Sequence, residues 1–407
     1  MNRLYRFAPR YGAILSMLTV ASFAHGHGVA EGEATGSGRA IEFPDTAEYL
    51  TLVADLHTHS VFSDGHVWPR IRIGEALRDG LDAIAITEHL EYQPHLPDIP
   101  HPDRNRSFEE SVVARGESDL MVVAGSEITR GPPAGHMNAI FISDANKLLQ
   151  LPDEDITDPG AHYEAADQWP AQQAVEAANA QGAFVFWNHP FFFGDTIDGI
   201  ARMNDFHRGN ARRGLLHGIE IANGDWYSEE AFQIALDHDL TLMGVSDVHD
   251  LIDWDHEPHA GGHRPVNLIF TKQRTQEAMQ AALFEGRTVV WFRNLLIGRP
   301  EHLQPLLSAC LSVGEADYRN NTQILTVPIS NHSDASFLLE NTSNLTFVHT
   351  ADLLEIPPHE TVEVPVKTGD RVDAVTLKFR VMNALVAPKQ HPGIEFSVTV
   401  GGATNTP

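Results

Sequence analysis

The sequence predicts an α/β protein in two parts: a large domain built on a parallel sheet, open or closed into a barrel, and a small β-sandwich-like domain. Between about residues 51 and 303, short apolar runs alternate with amphipathic helical patterns, as expected of repeated βα units. From about 304 to 407, the helical patterns give way to short alternating segments separated by Asn, Ser, Gly and Pro. The chain has 407 residues, 42% of them hydrophobic, which suffices for a large core.

The first residues predict an export signal. Residues 1–24 combine Arg3, Arg6 and Arg10 with a short apolar stretch and small residues for cleavage, which is typical of a secretory signal peptide. The apolar stretch is too short to span a bilayer, and an amphipathic membrane anchor is the alternative interpretation. Residues 25–50 are Gly-rich and polar and predict a flexible leader. We therefore expect a secreted or periplasmic protein without a membrane span.

Periodicity predicts the elements of both domains. Nearly continuous apolar runs, which suit strands covered on both faces, occupy residues 52–56, 81–86, 120–124, 137–142, 183–187, 218–222, 240–245 and 266–270. Amphipathic helices are predicted at 71–78, 170–180, 228–237 and 275–284. In the small domain, alternation predicts strands at 323–329, 337–339, 345–349, 361–366, 374–381 and 394–400.

Charge and cysteine content restrict the chemistry. The chain has 28 Lys and Arg against 55 Asp and Glu, a formal net charge of −27. Such a chain should repel nucleic acid and anionic membranes, so we expect a small-molecule substrate and no nucleic-acid partner. Cys310 is the single cysteine, which excludes an intramolecular disulfide and a thiolate metal cluster. Any metal site must therefore use imidazole and carboxylate.

Polar residues lie at the ends of the predicted strands, and they are candidate metal ligands. The residues that follow a strand are His57, His59, His89, Glu127, His189, Asp247 and His249, whereas His136 directly precedes the run at 137–142. A single such histidine would more often be a satisfied core residue, but strand ends in parallel α/β proteins share one face, which carries the active site. Residues two apart in a strand point the same way, so His57 and His59 can face one cavity. Imidazole and carboxylate suit Zn, Mn or Fe.

The motifs DLHTHS, SDG, TEH, GSE, GH, NHP and SDVH occur in the order found in the PHP (polymerase and histidinol phosphatase) superfamily of metal-dependent hydrolases, and the chain resembles that family over about residues 52–300. The signal peptide and the β-rich C-terminal part are most similar to the carbaryl-hydrolase-type branch. The resemblance implies a distorted (β/α)7 barrel of the PHP type and two to three divalent metal ions.

The resemblance also implies which residues bind the metals. The implied ligands are His57, His59, Asp247 and a bridging Glu127 for the first metal, Glu127, His136 and His189 for the second, and Asp64, His89 and His249 for the third. Catalysis would be carried by His57, His59, Glu127 and Asp247 through a hydroxide that bridges the first two metals. The chain lacks a Gly-x-Ser-x-Gly motif, which argues against a protein nucleophile.

The substrate is predicted to be a phosphoester. Arg130 and Arg264 follow ligand motifs and are candidates for binding its oxygens, although either is equally well explained as a salt-bridge partner. The alternative is a carbamate, ester or amide hydrolase, because the aromatic segments 191–193 and 226–227 suit an aryl substrate. A further alternative is a non-enzymatic exported protein that binds metal or glycan. Nothing in the sequence indicates an oligomeric state.

Some buried acidic residues are open to two interpretations. Glu220, inside the run 218–222, either supports a ligand or is a paired buried carboxylate. Glu88 lies beside His89, but alternation turns it away from the site, so a supporting role is favoured. Asp55 is expected to be structural for the same reason.

Overall fold

The computed structural model describes residues 40–151, 156–194, 196–349 and 351–401. The predicted signal peptide and most of the predicted leader lie outside these residues. The described residues belong to one compact unit. Within them, the helices are all too short or too polar to cross a membrane.

Within the described residues, the first part of the chain contains eleven strands, eight α-helices and two short 3-10 helices. The strands are β1 (Leu50–Asp55), β2 (Ala83–Ile86), β3 (Met121–Thr129), β4 (His136–Ile140), β5 (Phe184–Trp187), β6 (Gly218–Asn223), β7 (Trp226–Tyr227), β8 (Thr241–Val245), β9 (Val266–Thr271), β10 (Thr288–Phe292) and β11 (Leu295–Gly298). The helices are α1 (Pro69–Arg78), α2 (Arg106–Arg115), α3 (Pro159–Asp167), α4 (Ala171–Asn179), α5 (Asp205–Arg212), α6 (Glu229–Asp237), α7 (Ile252–Asp255) and α8 (Gln276–Phe284).

The second part begins with one helix and continues as strands. They are α9 (Pro300–Cys310), β12 (Leu311–Val313), β13 (Asp317–Tyr318), β14 (Ile324–Asn331), β15 (Phe337–Asn341), β16 (Thr346–Phe347), β17 (Leu353–Ile356), β18 (Thr361–Lys367), β19 (Ala374–Val381), β20 (Ala384–Leu385) and β21 (Gly393–Thr399). The predicted domain boundary at 303/304 falls inside α9.

The main sheet is curled and mixed rather than wholly parallel. Every apolar run predicted as a strand in the first part is one, and β1, β2 and β3 pair in parallel, as do β5, β6 and β8. However, β4 is antiparallel to β3 and β5, and β9 is antiparallel to β1. The connection between Thr129 and His136 is too short for the crossover that a parallel β4 would need. The count of seven βα units therefore stays a prediction.

Strands β1 and β8 meet at their C-terminal ends. The Asp247 N–H donates to the His57 carbonyl at 3.0 Å, and the His59 N–H donates to the Val248 carbonyl at 3.1 Å. These bonds lie directly beyond the last residues of β1 and β8. The curled sheet is therefore joined to itself at the edge where the candidate ligands lie.

Nearer the middle of β8, a side chain joins β8 to β9. The Gly244 N–H donates to Asn267 Oδ1 at 3.2 Å, and Asn267 Nδ2 donates to the Gly244 carbonyl at 2.8 Å. Asn267 is fully buried, so both groups of Gly244 find partners inside the protein. A Cβ atom on Gly244 would lie 2.2 Å from Val290 Cγ1 of β10, so this close approach requires glycine.

The helices predicted from periodicity are all present. Helix α6 begins after Ser228, whose hydroxyl accepts the Ala231 N–H at 3.1 Å, and α8 begins after Thr275, whose hydroxyl accepts the Ala278 N–H at 3.2 Å. Helices such as α2 and α5 were not predicted, because their sequences RSFEESVVAR and DFHRGNAR carry few apolar residues.

The second part is a two-sheet sandwich, which confirms the predicted architecture. One sheet has the order β12-β14-β18-β16 with β13 on β14, and the other has the order β17-β15-β19-β21. Strand β14 alternates between partly exposed and buried residues along its length. Strand β20 instead pairs in parallel with β11 of the main sheet. The two parts also share an apolar core, which contains Leu296 and Leu303 together with Ile329 and Phe337.

Candidate metal centre

All nine predicted ligands come together at one edge of the curled sheet. His57 and His59 follow β1, His89 follows β2, His189 follows β5, and Asp247 and His249 follow β8, whereas Glu127 lies within β3 and Asp64 in the loop after His59. His136 is the first residue of β4. Because β4 runs antiparallel to its neighbours, its first residue lies at the edge where the parallel strands end. The direction of β4 therefore explains why this ligand precedes its strand.

The first predicted ligand set has donor atoms directed at one point. His57 Nε2 and His59 Nε2 lie 2.9 Å apart. Each nitrogen lies 3.1 Å from Asp247 Oδ1 and 3.2 Å from Glu127 Oε2. Nitrogen and carboxylate donors brought this close are the donor set that a borderline divalent cation prefers.

Glu220 fixes the ring of His57. Its Oε1 accepts the His57 Nδ1–H at 2.7 Å, which leaves Nε2 free to act as a donor atom towards a metal. Its Oε2 accepts the His189 backbone N–H at 2.7 Å and the Asn223 side-chain amide at 2.8 Å. Glu220 is fully buried. Both sequence interpretations of Glu220 therefore apply, since this buried, paired carboxylate orients one ligand and holds the backbone of another.

The second predicted set centres on the other oxygen of Glu127. His136 Nδ1 lies 2.8 Å from Glu127 Oε1, and His189 Nε2 lies 3.6 Å from it. Asn188 Nδ2 donates to the same oxygen at 2.9 Å. His89 Nδ1 also lies 3.1 Å from Glu127 Oε2, so His89, Glu127 and His136 form a further group close enough to hold an ion. Glu127 thus has one oxygen in each of two neighbouring groups.

The third predicted set surrounds Asp64. Asp64 Oδ1 lies 3.1 Å from His249 Nε2 and 3.4 Å from His89 Nε2. His59 Nδ1 lies farther away, at 3.9 Å. Asp64 Oδ1 is buried and makes no hydrogen bond within the described residues, and the same is true of His189 Nδ1. A buried carboxylate oxygen that is close to two imidazoles without bonding to either fits a shared cation.

Glu88 holds the loop that carries Asp64. It accepts the Ser60 N–H at 3.0 Å and the Ser63 hydroxyl at 2.6 Å, and it also bonds the Ser60 hydroxyl. The supporting role favoured for Glu88 therefore agrees with these contacts.

The electrostatic field of the centre is strongly negative. Although burial alone would lower the pKa of His59, the hydrogen bonds that its ring donates to Asp247 and Glu127 raise this pKa to about 10. Burial likewise opposes the rise in the pKa of His57, which Asp247, Glu220 and Glu127 hold well above its usual value. Although burial opposes it, contacts with imidazoles lower the pKa of Asp64. Ligands in such a field retain cations, and the residues present therefore fit divalent metals.

Two of these residues occupy unusual backbone conformations. Asp247 has φ of 52° and His189 has φ of 25°, in the left-handed region that non-glycine residues rarely adopt. Such conformations persist only where surrounding contacts hold them, and they concentrate at functional sites. Here the Asp247 N–H bonds the His57 carbonyl and the His189 N–H bonds Glu220.

A cavity of about 570 Å³ opens over the centre. Ligand residues, among them Asp64, His136 and His189, line part of it. Aromatic side chains also line it, and they are Phe191, Phe192, Phe193, Trp226 and Tyr227. The cavity therefore combines metal-ligating groups with a set of aromatic residues, which we call its aromatic wall.

The predicted substrate-binding arginines lie elsewhere. The side chain of Arg264 is fully buried and pairs with Asp55 at 3.1 Å and with Asp79 at 2.6 Å. Arg130 is also buried, pairs with Glu91 and donates to the Thr129 carbonyl at 3.3 Å. Neither residue lines the cavity. The prediction that Arg130 and Arg264 bind substrate is therefore corrected: both have a structural role, because their charges are neutralised by carboxylates inside the fold.

One supporting residue was missed by the sequence reasoning. Asn223 Nδ2 donates to Glu220 Oε2 at 2.8 Å and to Asp247 Oδ2 at 3.1 Å, so it links the residue that orients His57 to a further ligand. Asn223 is the last residue of β6 and also lines the cavity. The available signal was its position as the polar residue directly after an apolar run.

Comparison with known proteins identifies relatives of both parts. Residues 311–397 match the family model of an Ig-like domain. The whole chain is similar to a two-domain protein from Bacteroides vulgatus that contains a predicted PHP-like metal-dependent phosphoesterase, with 36% identity over 88% of this chain and 98% of that one, and a TM-score of 0.78.

Two further solved structures are much less similar to this chain. A putative metal-dependent phosphoesterase from Bifidobacterium adolescentis has 19% identity over 52% of this chain and 90% of that one, with a TM-score of 0.36. An amidohydrolase from Chromobacterium violaceum has 16% identity over 48% of this chain and 87% of that one, with a TM-score of 0.33. No curated protein sequence matches the chain.

Proposed function

The chain belongs to the PHP superfamily, in the family of two-domain proteins with a PHP-like metal-dependent phosphoesterase domain, and on this basis we propose that it is an exported metal-dependent hydrolase whose main substrates are phosphoesters. The observation that carries the proposal is the approach of His57 Nε2 and His59 Nε2 to 2.9 Å, with Asp247 and Glu127 oxygens beside both. A cation would satisfy the two negative carboxylates and the two nitrogen lone pairs that meet in this arrangement.

The proposed ligands form three sets around two to three divalent ions, for which Zn, Mn and Fe are the candidates. They are His57, His59, Asp247 and Glu127; Glu127, His136 and His189; and Asp64, His89 and His249. When bound, such ions would supply a hydroxide bridging the first two of them as the nucleophile at neutral pH, together with positive charge for the substrate oxygens.

The protein's own groups would hold and orient this centre. Glu127 would serve both neighbouring sets because its two oxygens face different imidazoles. Glu220 keeps a proton on His57 Nδ1 and so presents Nε2 to the centre. Asn188 donates to Glu127 Oε1 and restricts the rotation of that carboxylate. His57, His59, Glu127 and Asp247 are thus the residues on which we expect turnover to depend.

A carbamate or carboxyl-ester hydrolase of the carbaryl-hydrolase type is the second candidate. The aromatic wall of the cavity supports it, because Phe191–Phe193, Trp226 and Tyr227 suit an aryl group. A non-enzymatic protein that binds metal or glycan is a third interpretation, to which the Ig-like domain would contribute the binding surface. The lack of a nucleic-acid partner stays a prediction from the net charge.

The deciding experiment measures turnover and metal content on the same purified sample. The substrates are bis(4-nitrophenyl) phosphate, 4-nitrophenyl phosphate and an aryl N-methylcarbamate. We expect phosphoester hydrolysis that a chelator abolishes, loss of turnover in His59→Ala, and a lower metal content in Asp64→Ala. His259→Ala, an exposed histidine outside the cavity, is the matched control. Stoichiometric metal without turnover on any substrate would contradict the enzyme proposal.

Export rests on residues 1–24 and has its own test. The protein recovered from the periplasm or medium should have an N-terminus beyond residue 24. A full-length N-terminus on cytoplasmic protein would contradict it.

A further inference from the structure

We propose that the cavity selects esters that carry an aromatic group and at most one negative charge, and that Glu230 disfavours doubly charged phosphate monoesters. This inference rests on the proposed hydrolase function and concerns which substrates the same centre accepts.

The aromatic wall is unusually accessible. Phe193 is 68% exposed and Trp226 is 63% exposed, and their ring centroids lie 6.5 Å apart with an interplanar angle of 84°. Phe192, 51% exposed, lies edge-on to the ligand His189 with centroids 5.4 Å apart. Exposed rings grouped at the mouth of a cavity mark a binding surface for apolar groups. A flat aryl group bound there would be held next to the metal ligands.

The cavity lacks the cations that usually bind phosphate. None of its described lining residues is Lys or Arg, whereas Asp198 and Glu230 both line it. Asp198 is neutralised, because Arg202 donates to its two oxygens at 2.8 and 2.7 Å. Glu230 forms no ion pair with any Lys or Arg of the described chain, and its carboxylate accepts only the Ser228 hydroxyl at 3.1 Å. Glu230 therefore contributes to the wall a negative charge that no guanidinium or ammonium group of the described residues contacts, and Arg202 acts on it only from a distance.

Such a charge distinguishes esters by their ionisation. A phosphate monoester carries nearly two negative charges above its second pKa of about 6, whereas a phosphodiester carries one. The metal centre attracts both, but repulsion from Glu230 grows with the charge of the ligand. Diesters should therefore lose less binding free energy to this carboxylate than monoesters do.

A structural role for Glu230 can be separated from this one. Glu230 lies in the first turn of α6, where a carboxylate also stabilises the helix. Glu229 lies in the same turn, but it pairs with Lys389 at 3.1 Å and does not line the cavity. Glu229→Gln thus reproduces the loss of helix stabilisation without removing a charged residue from the lining of the cavity.

The test compares two substrates with the same leaving group at pH 8, methyl 4-nitrophenyl phosphate and 4-nitrophenyl phosphate. We expect the wild-type protein to prefer the diester, and Glu230→Gln to reduce the ratio of the two kcat/KM values by about 3- to 10-fold. Glu229→Gln should leave the ratio unchanged. Calorimetric binding of phenylphosphonate, which has no ester bond, and of methyl phenylphosphonate, whose methoxide is a poor leaving group, should give the same change in relative Kd.

The aromatic wall is tested with the same binding probes. Trp226→Ala should raise the Kd of methyl phenylphosphonate about 10-fold and leave the Kd of methyl methylphosphonate unchanged. Trp254→Ala, also an exposed tryptophan but outside the cavity, should change neither. If both esters are hydrolysed and Glu230→Gln leaves their ratio unchanged, the charge-selection inference fails while the hydrolase proposal stands. If no ester is hydrolysed by metal-loaded protein, it is the hydrolase proposal that fails.

Discussion

The carboxylate of Glu220 accepts three hydrogen bonds within the metal centre. It accepts from the His57 ring, from the His189 backbone and from the Asn223 amide. All three partners are donors, and a carboxylate has acceptors only. An amide in the same place would have to turn its own NH₂ group towards at least one of these donors.

This geometry makes Glu220→Gln a test of ligand positioning. We expect the variant to bind its metals roughly 10- to 100-fold more weakly, because His57 is no longer held in one orientation. Metal content after dialysis against a graded series of chelator concentrations measures the effect. Glu176→Gln, an exposed glutamate paired with Arg213, is the control. Unchanged metal retention in Glu220→Gln would refute a positioning role.

His207 gives a second residue-scale prediction, on acid stability. Burial lowers the pKa of His207 to about 3, and its ring stacks on Trp187 with centroids 3.9 Å apart. Between pH 3 and 6.5 the unfolded chain binds a proton here that the folded chain does not, so the free energy of unfolding must fall as the pH falls. The contribution of this histidine is at most about 1.4 kcal/mol per pH unit.

The substitution His207→Phe removes this titratable imidazole and keeps an aromatic ring that can stack on Trp187. Urea unfolding of both proteins between pH 4 and 7 should show the variant gaining stability relative to wild type as the pH decreases. A stability difference that is independent of pH would contradict the expectation.

Sequence reasoning found ligands more readily than their surroundings. His57, Glu127 and Asp247 could be identified because each follows a predicted strand within one to three residues, and their motifs occur in the order found in the PHP superfamily. Arg264 follows the motif of Asp247 and His249, but its pairing with Asp55 and Asp79 depends on residues about two hundred positions away. Burial of that kind is set by tertiary contacts, which one sequence does not reveal.

At the scale of elements, the junction of β8, β9 and β10 is the most constrained place in the sheet. Gly244 allows Val290 to approach, and the Asn267 side chain supplies the partners that a neighbouring strand would otherwise provide. A methyl group at Gly244 must displace a buried valine in a tightly packed region.

We therefore expect Gly244→Ala to lower the free energy of unfolding by about 1–3 kcal/mol, through overpacking. Gly74→Ala is the control, since a Cβ there meets nothing within 4 Å in α1 and should stabilise the helix by about 0.5–1 kcal/mol. Denaturant unfolding curves of the two variants measure both effects. Equal effects of the two substitutions would refute the crowding at Gly244.

The apolar runs predict which segments of the first part form strands, but they do not predict the direction of β4 and β9, which are antiparallel to their neighbours. The apolar run at 137–142 correctly predicted β4, but its antiparallel direction follows from the short connection after Thr129, which apolar periodicity ignores. Strand β10 was not among the predicted strands, although its sequence TVVWF consists of β-branched and aromatic residues, which favour strands.

At the scale of the whole molecule, the two parts are joined by more than a linker. Strand β20 extends the main sheet through β11, and the Leu296 N–H donates to the Asn383 carbonyl at 3.0 Å. The Asn383 side chain donates to the Asn294 and Ser336 carbonyls at 2.9 and 2.7 Å. A change of pattern near residue 303 predicted two domains, but it could not reveal that their cores are continuous.

Because the parts share a core, we expect metal-free protein to unfold in a single calorimetric transition, with equal calorimetric and van't Hoff enthalpies. Asn383→Ala should lower the midpoint of that transition without splitting it, since it leaves two partly buried carbonyls without this partner at a cost of about 1–3 kcal/mol. Two transitions in the wild-type protein would show that the parts unfold independently.

Most of the metal ligands and most of the aromatic wall come from different stretches of chain, although Phe192 lies three residues after the ligand His189 and contacts its ring. The ligands lie at strand ends tied together by Glu220, Glu88 and the β1–β8 bonds, whereas Phe193 lies in the segment after β5, Trp226 lies in the short strand β7, and both side chains are more than half exposed. A mutational library confined to Phe193, Trp226 and Glu230 would therefore vary the accepted substrate while leaving the reaction centre intact. This separation makes the fold a practical starting point for directed evolution of new ester specificities.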